Sequence, residues 1–381
     1  MKLTDRIRDF FIPRKMVRQE LICGELPSNK EIYQTAFRIA WPSTLEAVLV
    51  GLVGVIDTIM VSALGSGAIA AVGLTNQPKM IVLATIMSLN VSVTAIVARR
   101  KGAMERLDAN RCLRFSMLLS AVIAIVLSVL GYFFARPMMI FAGAGEDVLD
   151  MAVTYFKIIM VGTLFNGLSM TINAAQRGAG NTKISMVTNL AANLVNMVFN
   201  YLLISGHCGF PALGVQGAAI ASLTSSIVGA LVIYGAGIAK KTLLRTGPDG
   251  LAGITGGFIR SFAQVSMPAM LNESMWALGN LLYSSIFGHI GTGAYASITV
   301  VKSIEELTSV AVMGLCSSCA VMIGSAIGRG DVPLCKLCAR RHMQLTVGLS
   351  VLIGVSMLAL RQPLLSLFGV SQAVRSGPCA G

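Results

Sequence analysis

Apolar stretches of membrane length recur along the whole chain, and short segments rich in glycine, proline or charged residues separate them. An α-helix needs about 20 apolar residues to cross a hydrocarbon core of about 30 Å. The pattern predicts nine such helices, each ending at a glycine, a proline or a group of charges. The predicted bounds are 38–63, 78–98, 112–135, 148–175, 184–205, 214–239, 261–288, 295–327 and 342–367. We therefore predict an all-α polytopic membrane protein.

The composition agrees with this fold class. Of the 381 residues, 55% are hydrophobic and 12% are charged, and the mean hydropathy is +0.75. A soluble domain carries about 25% charged residues, because polar side chains must cover its surface. The formal net charge of +13 is therefore interpreted through membrane orientation, and binding to nucleic acid is not expected.

Lysine and arginine are concentrated in alternate connecting segments, which orients the predicted helices. They are frequent before the first helix and in segments 99–114, 176–183, 240–260 and 328–341. The positive-inside rule places these segments in the cytoplasm, where they also contact anionic lipid. Residues 1–37 lack the apolar core and cleavage site of a signal peptide, so we interpret them as a cytoplasmic lead-in. We expect a multi-pass plasma-membrane protein with a cytoplasmic N-terminus.

The sequence contains an internal repeat. A shift of 226 residues superposes 42–148 on 268–374 without a gap. The matched pairs include Pro42 with Pro268, Gly65 with Gly291, Gly102 with Gly328 and Gly143 with Gly369. Both copies begin on the predicted cytoplasmic side, as in secondary transporters whose two halves are parallel repeats around a shared site.

The repeat predicts the domain organisation. Residues 38–256 form an N-lobe with helices 1–6, and residues 257–374 form a partial C-lobe with helices 7–9. Residues 375–381 follow as an aberrant tail. A full second copy would extend to about residue 480, so we expect a chain that is truncated at its C-terminus, with nine of twelve helices.

Asp57 is the first candidate functional residue. It lies in the apolar stretch VLVGLVGVIDTIMVSALG, about 23 Å along the first helix from Pro42. A carboxylate in the middle of a bilayer costs about 2.5–3.5 kcal/mol, so it is expected to face a cavity or a partner. The alternative is a structural carboxylate bound to a neighbouring helix.

Four asparagines on the fifth predicted helix share one helical face, because they recur at spacings of 4, 3 and 4. They are Asn189, Asn193, Asn196 and Asn200. The first two could simply hold helices together. Asn196 and Asn200 are predicted near the depth of Asp57, and Ser222 approaches from the sixth helix. One carboxylate with amide and hydroxyl oxygens suits Na⁺ or a proton.

With these residues the chain resembles the multidrug and toxic compound extrusion (MATE) family of cation-coupled antiporters over nearly its whole length. The resemblance implies twelve helices in two six-helix lobes, a central cavity that opens to each side in turn, and export of organic, often cationic, compounds driven by H⁺ or Na⁺. It rests on AWPSTLEAVLVGLVGVIDTIMVSALG at 40–65, QRGAGNTK at 176–183, NLVNMVFNYLLI at 193–204 and GFPALGVQGAAIAS at 209–222.

The resemblance also implies roles for particular residues. Asp57, Asn196, Asn200 and Ser222 match the N-lobe cation site, and Pro42 matches the proline at which the first helix bends. Where some members carry a second acid on the fifth helix, this chain has Asn200.

Further residues are predicted by position. Pro268 is the repeat counterpart of Pro42, and Glu273 resembles the seventh-helix acid of some members. We assign Glu273, Glu46, Asn189 and Asn193 to the substrate cavity, although Glu46 could also be a solvated acid near the cytoplasmic end of its helix.

Metal binding and catalysis find little support. Cys316 and Cys319 with Cys335 and Cys338 match a zinc spacing, but the first pair lies within an apolar span and the second beyond its end. No motif of a hydrolase, zinc protease or nucleotide-binding enzyme occurs in the sequence. We expect no metal site, no cofactor beyond the coupling ion, and no enzymatic activity.

The predicted partners are a small organic substrate, the coupling cation and membrane lipid, and we expect a monomer. Three alternatives stay open. A flippase for lipid-linked oligosaccharides would need a cavity lined with arginine and lysine, and a scaffold would not need a buried acid. The chain could also be an inactive fragment of a transporter.

Overall fold

The computed structural model describes residues 27–239, 254–290 and 292–359. All regular structure in these ranges is helical, and a 3₁₀ turn at His207–Gly209 interrupts the series. The α-helices are α1 Asn29–Ser62, α2 Ser66–Gly102, α3 Arg106–Phe133, α4 Ala135–Phe141, α5 Glu146–Gly178, α6 Thr182–Ile204, α7 Val215–Ala239, α8 Gly256–Ile290, α9 Thr292–Gly328 and α10 Val332–Ala359. The predicted all-α polytopic fold is confirmed.

Seven of these helices are long and apolar enough to cross a membrane, judged by length and composition within the described residues: α1, α2, α3, α5, α6, α7 and α10. The seventh and eighth predicted spans fall on α8 and α9. Most of the lead-in, the loop at 240–253, the end of the ninth span at 360–367 and the tail at 375–381 lie outside the described residues.

The second helix begins earlier in the sequence than its apolar pattern predicts. It begins at Ser66, twelve residues before the predicted start, and Pro78 lies inside it. Pro42 and Pro268 likewise lie inside α1 and α8. Proline is tolerated within membrane helices, because neighbouring groups satisfy the carbonyl that it leaves free. As a result Lys79, next to Pro78, belongs to a helix interior.

The first helix also begins earlier than its apolar pattern indicates. The Ser28 hydroxyl accepts a hydrogen bond from the Glu31 backbone N–H, and the Glu31 carboxylate accepts one from the Ser28 backbone N–H. This capping box starts α1 at Asn29, nine residues before the predicted bound.

The repeat is visible in the helix boundaries. The limits of α2, at 66 and 102, and those of α9, at 292 and 328, differ by the same 226 residues that relate the sequences. The turns that follow are related in the same way, because Met104 and Gly330 both adopt a positive φ, of 63° and 71°. Helices α8, α9 and α10 therefore correspond to α1, α2 and α3.

Helix α5 lies at the centre of the N-lobe. It packs against α2, α3 and α7, while α6 packs against α1 and α7. Fully buried Phe156 and Met160 of α5 belong to the main apolar core of this lobe. This arrangement brings one face of α6 against α1, where the predicted cation site lies.

Small residues let the two repeats touch at one end of the bundle. A Cβ atom added to Gly102 would lie 2.1 Å from the carbonyl oxygen of Ser325, and one added to Gly328 would lie 1.9 Å from that of Arg99. The two contacts are related by the 226-residue shift. Such close approach of backbones through small residues spaced four apart is typical of helix contacts in membranes. The lobes are therefore in contact at the ends of α2 and α9.

We predict that Gly328→Val destabilises this contact by about 1–3 kcal/mol, because the added side chain overlaps backbone that cannot move aside easily. Thermal unfolding of the purified protein in detergent measures the effect. Gly348→Val on α10 is the matched control, since nothing lies within 4 Å of its added Cβ. Equal losses of stability in both variants would contradict the prediction.

Candidate functional site

Asp57 of α1 lies against the asparagine face of α6. Asn200 donates a hydrogen bond from Nδ2 to Asp57 Oδ1 over 2.7 Å. The Asn196 amide, oriented with its nitrogen toward the carboxylate, lies 2.9 Å from Oδ1 and 3.0 Å from Oδ2. The Ser222 hydroxyl of α7 lies 3.4 Å from the same amide. The structure thus brings together the four residues predicted for cation coupling, and their role stays a prediction.

This cluster is withdrawn from the surface. Asn196 and Asn200 are 6% and 2% exposed. Tyr155 of α5 is also buried and interacts electrostatically with Asp57. Carbonyl oxygen Oδ1 of Asn200 is buried and has no hydrogen-bond partner. One oxygen acceptor therefore remains available beside the carboxylate.

The sequence-based prediction missed Lys79 of α2, which interacts electrostatically with Asp57. Lys79 also lines a small cavity of about 60 Å³ within the N-lobe. The polar residues around that cavity are Thr163 and Asn166 of α5 and Ser222 and Ser226 of α7. The predicted second helix, 78–98, has Lys79 in its first turn, whereas the observed start at Ser66 places Lys79 well inside the helix.

A second carboxylate lies on the same face of α1. Asn189 donates from Nδ2 to Glu46 Oε1 over 2.5 Å, and Arg177 of α5 lies 3.4 Å from the same oxygen. The Glu46 side chain is 12% exposed, and its Oε2 is buried without a partner. The interpretation of Glu46 as a solvated acid is therefore wrong, because α5 and α6 cover it and supply its partners. Arg177 had been counted only as a cytoplasmic charge.

The other predicted cavity residues are placed differently. Nδ2 of Asn193 is buried between the two clusters without a hydrogen-bond partner. Glu273 is partly buried on α8, in the second repeat, and no described hydrogen bond or ion pair joins it to the N-lobe residues. Substrate contact by Glu46, Asn189, Asn193 and Glu273 stays a prediction.

The fold and this site define a polytopic helical membrane protein with the organisation of a secondary transporter: two parallel repeats, with buried ionisable groups inside one of them. The sequence model of the MatE family matches residues 42–202 and 268–377. The two matches begin at Pro42 and Pro268, the prolines that the internal repeat superposes.

Individual relatives agree with this match. The protein named "Probable multidrug resistance protein NorM" of Thermotoga maritima is 25% identical over 355 residues, covering 92% of this chain and 76% of that protein. The FAD transporter of Shewanella oneidensis is 28% identical over 319 residues, covering 84% and 70%. The chain therefore belongs to the MATE family, a family of membrane transporters.

Solved structures share the fold. A multidrug resistance MATE family transporter described in an outward-facing conformation superposes with a TM-score of 0.81 at 20% identity, covering 92% of this chain and 78% of that one. A MATE structure described in a bent conformation gives a TM-score of 0.80 at 21% identity, covering 89% and 75%. At this level of identity the similarity concerns the fold.

We predict that Asn200→Leu and Asn193→Leu, two equal changes on one face of α6, differ in their effect on stability. Asn200→Leu removes a donor from a buried carboxylate and should cost about 1–3 kcal/mol. Asn193→Leu removes an amide nitrogen that has no partner, so it should be close to neutral. Thermal unfolding in detergent compares them, and a larger loss for Asn193→Leu would contradict the assigned contacts.

Proposed function

We propose that the protein is a proton-coupled antiporter that exports organic, cationic compounds across the plasma membrane, with its N-terminus in the cytoplasm. The observation that carries the proposal is the half-buried Asp57 carboxylate, which amides of α6 hold and which interacts electrostatically with Lys79. A membrane-embedded acid of this kind marks an ion pathway by default. The names of the relatives support export of organic compounds.

In this proposal, the charge of the site couples proton binding at Asp57 to release of the cationic substrate. The negative charge of ionised Asp57 would offset the positive charge of Lys79, with which it interacts electrostatically. When Asp57 binds a proton, the ammonium charge is no longer compensated. The resulting positive potential disfavours a cationic substrate in the N-lobe, and the low dielectric of the site strengthens the effect. Proton binding and retention of the substrate therefore exclude each other.

The donors around Asp57 favour H⁺ over Na⁺ as the coupling ion. Amide nitrogens face both carboxylate oxygens, whereas a sodium ion would need oxygen ligands around it. The positive charge of Lys79 also interacts with this carboxylate and would disfavour a bound Na⁺ there. A proton binds to one oxygen only and needs no rearrangement of the amides.

The same pairing disfavours an oligosaccharide-lipid flippase. Such a protein would bind the anionic headgroup with basic side chains of its cavity. Lys79 and Arg177 are basic residues in the described part of the N-lobe, but Arg177 forms an ion pair with Glu46 and Lys79 interacts electrostatically with Asp57.

We predict that Asp57→Asn abolishes export driven by a pH gradient, because the amide cannot bind the coupling proton. Efflux of ethidium from proteoliposomes with an imposed gradient measures it. Asp108→Asn is the matched control: Asp108 pairs with Arg111 at the start of α3, away from Asp57, and the variant should retain efflux.

Two outcomes would contradict the proposed function. Gradient-driven efflux that persists in Asp57→Asn would exclude Asp57 as the coupling site. A wild-type chain that gives no efflux under any ion gradient would favour the alternative of an inactive fragment.

We further predict that Lys79→Met makes transport respond to sodium. Removal of the ammonium group leaves Asp57 without a fixed countercharge, and the free Oδ1 of Asn200 can then serve as an oxygen ligand. Efflux rates with and without Na⁺ at constant pH measure the response. Wild-type efflux that already depends on Na⁺ would show that Lys79 does not determine ion selectivity.

A further inference from the structure

Two carboxylates of α1 are paired with two amides of α6 in the same register. Glu46 bonds to Asn189, and Asp57 bonds to Asn200. In both helices the two residues are eleven positions apart, which is close to three helical turns and about 16 Å. The two helices therefore run side by side, with an acid and an amide at each end of their contact.

The remaining asparagines fill the space between these ends. Asn193 and Asn196 lie on the same face of α6 as Asn189 and Asn200. Polar atoms without a partner recur along this row: Oε2 of Glu46, Nδ2 of Asn193 and Oδ1 of Asn200 are all buried and unpaired. A buried polar atom without a partner costs about 1–3 kcal/mol. A row of them indicates a path that binds small hydrogen-bonding species.

Glu46 can bind a proton without disturbing its neighbours. Its Oε1 already accepts the hydrogen bonds of Asn189 and Arg177, and its Oε2 accepts none. A proton on Oε2 would leave both contacts of Oε1 in place. The acid is therefore held in a geometry that suits either protonation state.

We propose that Glu46 is a second proton-binding site, which exchanges protons with Asp57 along the row of asparagines between them. The inference rests on the proposed function, since it gives the proton bound at Asp57 a route along α1 toward Glu46. It adds a proton-binding site to the transport cycle, because the sequence predicts Glu46 only as a residue of the substrate cavity.

The exchange is a transfer of protons without any oxidation or reduction. Oε2–H of Glu46 gives its proton to an adjacent water molecule, and the Asp57 carboxylate accepts a proton from a water at the other end. Between them each water passes one proton on and receives another. Neutral amides cannot carry the charge, so the asparagines act by positioning the waters.

Charged neighbours act on the two acids separately. Arg177 of α5 forms an ion pair with Glu46, while Lys79 of α2 and Tyr155 of α5 interact electrostatically with Asp57. From α9, the described contacts with this part of α1 are made by Ser317 and Gly314, which carry no charge. Each acid thus has one basic partner of its own.

Infrared difference spectroscopy of the full chain during a pH titration tests the proposal without any transport assay. Two buried carboxyl groups should each contribute a C=O band of the protonated acid. Glu46→Gln should remove one band and Asp57→Asn the other. Glu105→Gln, a change of an exposed acid, should leave both bands in place. A band that is lost only in Asp57→Asn would overturn the second site while leaving the proposed function intact.

Asn193→Leu tests the connection between the sites. It keeps both carboxyl groups and is expected to leave stability unchanged, so both bands should persist while proton-driven efflux slows. Asn193→Leu also provides a test if Glu46→Gln fails to fold because Arg177 has lost its ion pair. Both bands with an unchanged efflux rate in Asn193→Leu would overturn the proposed route.

Discussion

The absence of water in a bilayer requires each buried charge of this protein to find its partners within the helices, and the contact between α1 and α6 meets that requirement. Asp57 and Glu46 would each be costly alone in hydrocarbon. Asn200 and Asn189 satisfy them at equal spacing, which fixes the register of the two helices. The position of α6 in the N-lobe follows from these polar contacts as much as from apolar packing, which in lipid provides no hydrophobic driving force.

Helix α1 also links the polar sites to the contact between the repeats. Pro42 lies between Ala40 and Thr44, and both of these residues face Gly314 of α9. Glu46 follows one turn later. If α1 bends at Pro42, as predicted from the sequence, the bend would alter the contact between the repeats and the environment of Glu46 together. Proline at this position lacks the backbone N–H of a regular helix, so the bend is less constrained there.

Periodicity and residue spacing predicted much of this structure. The helices, the repeat and the meeting of Asp57 with Asn196 and Asn200 all follow from distances along single helices. The partners Lys79 and Arg177 could not be predicted in this way. Both lie close to the end of a predicted span, where a basic residue is equally well explained by the positive-inside rule. The contact of Arg177 with Glu46 and the interaction of Lys79 with Asp57 become visible only when the helices are assembled in three dimensions.

These pairings determine what a proton can do in the lobe. Arg177 forms an ion pair with Glu46 over 3.4 Å, whereas Lys79 has an electrostatic interaction with Asp57. Burying such pairs gains little stability, since desolvation offsets most of the attraction between the charges. Under the proposed function, a proton bound at Asp57 would add one positive charge to the lobe, and the low dielectric strengthens its effect on a nearby cation. The polar contacts between α1 and α6 would hold the carboxylate in place while that charge changes.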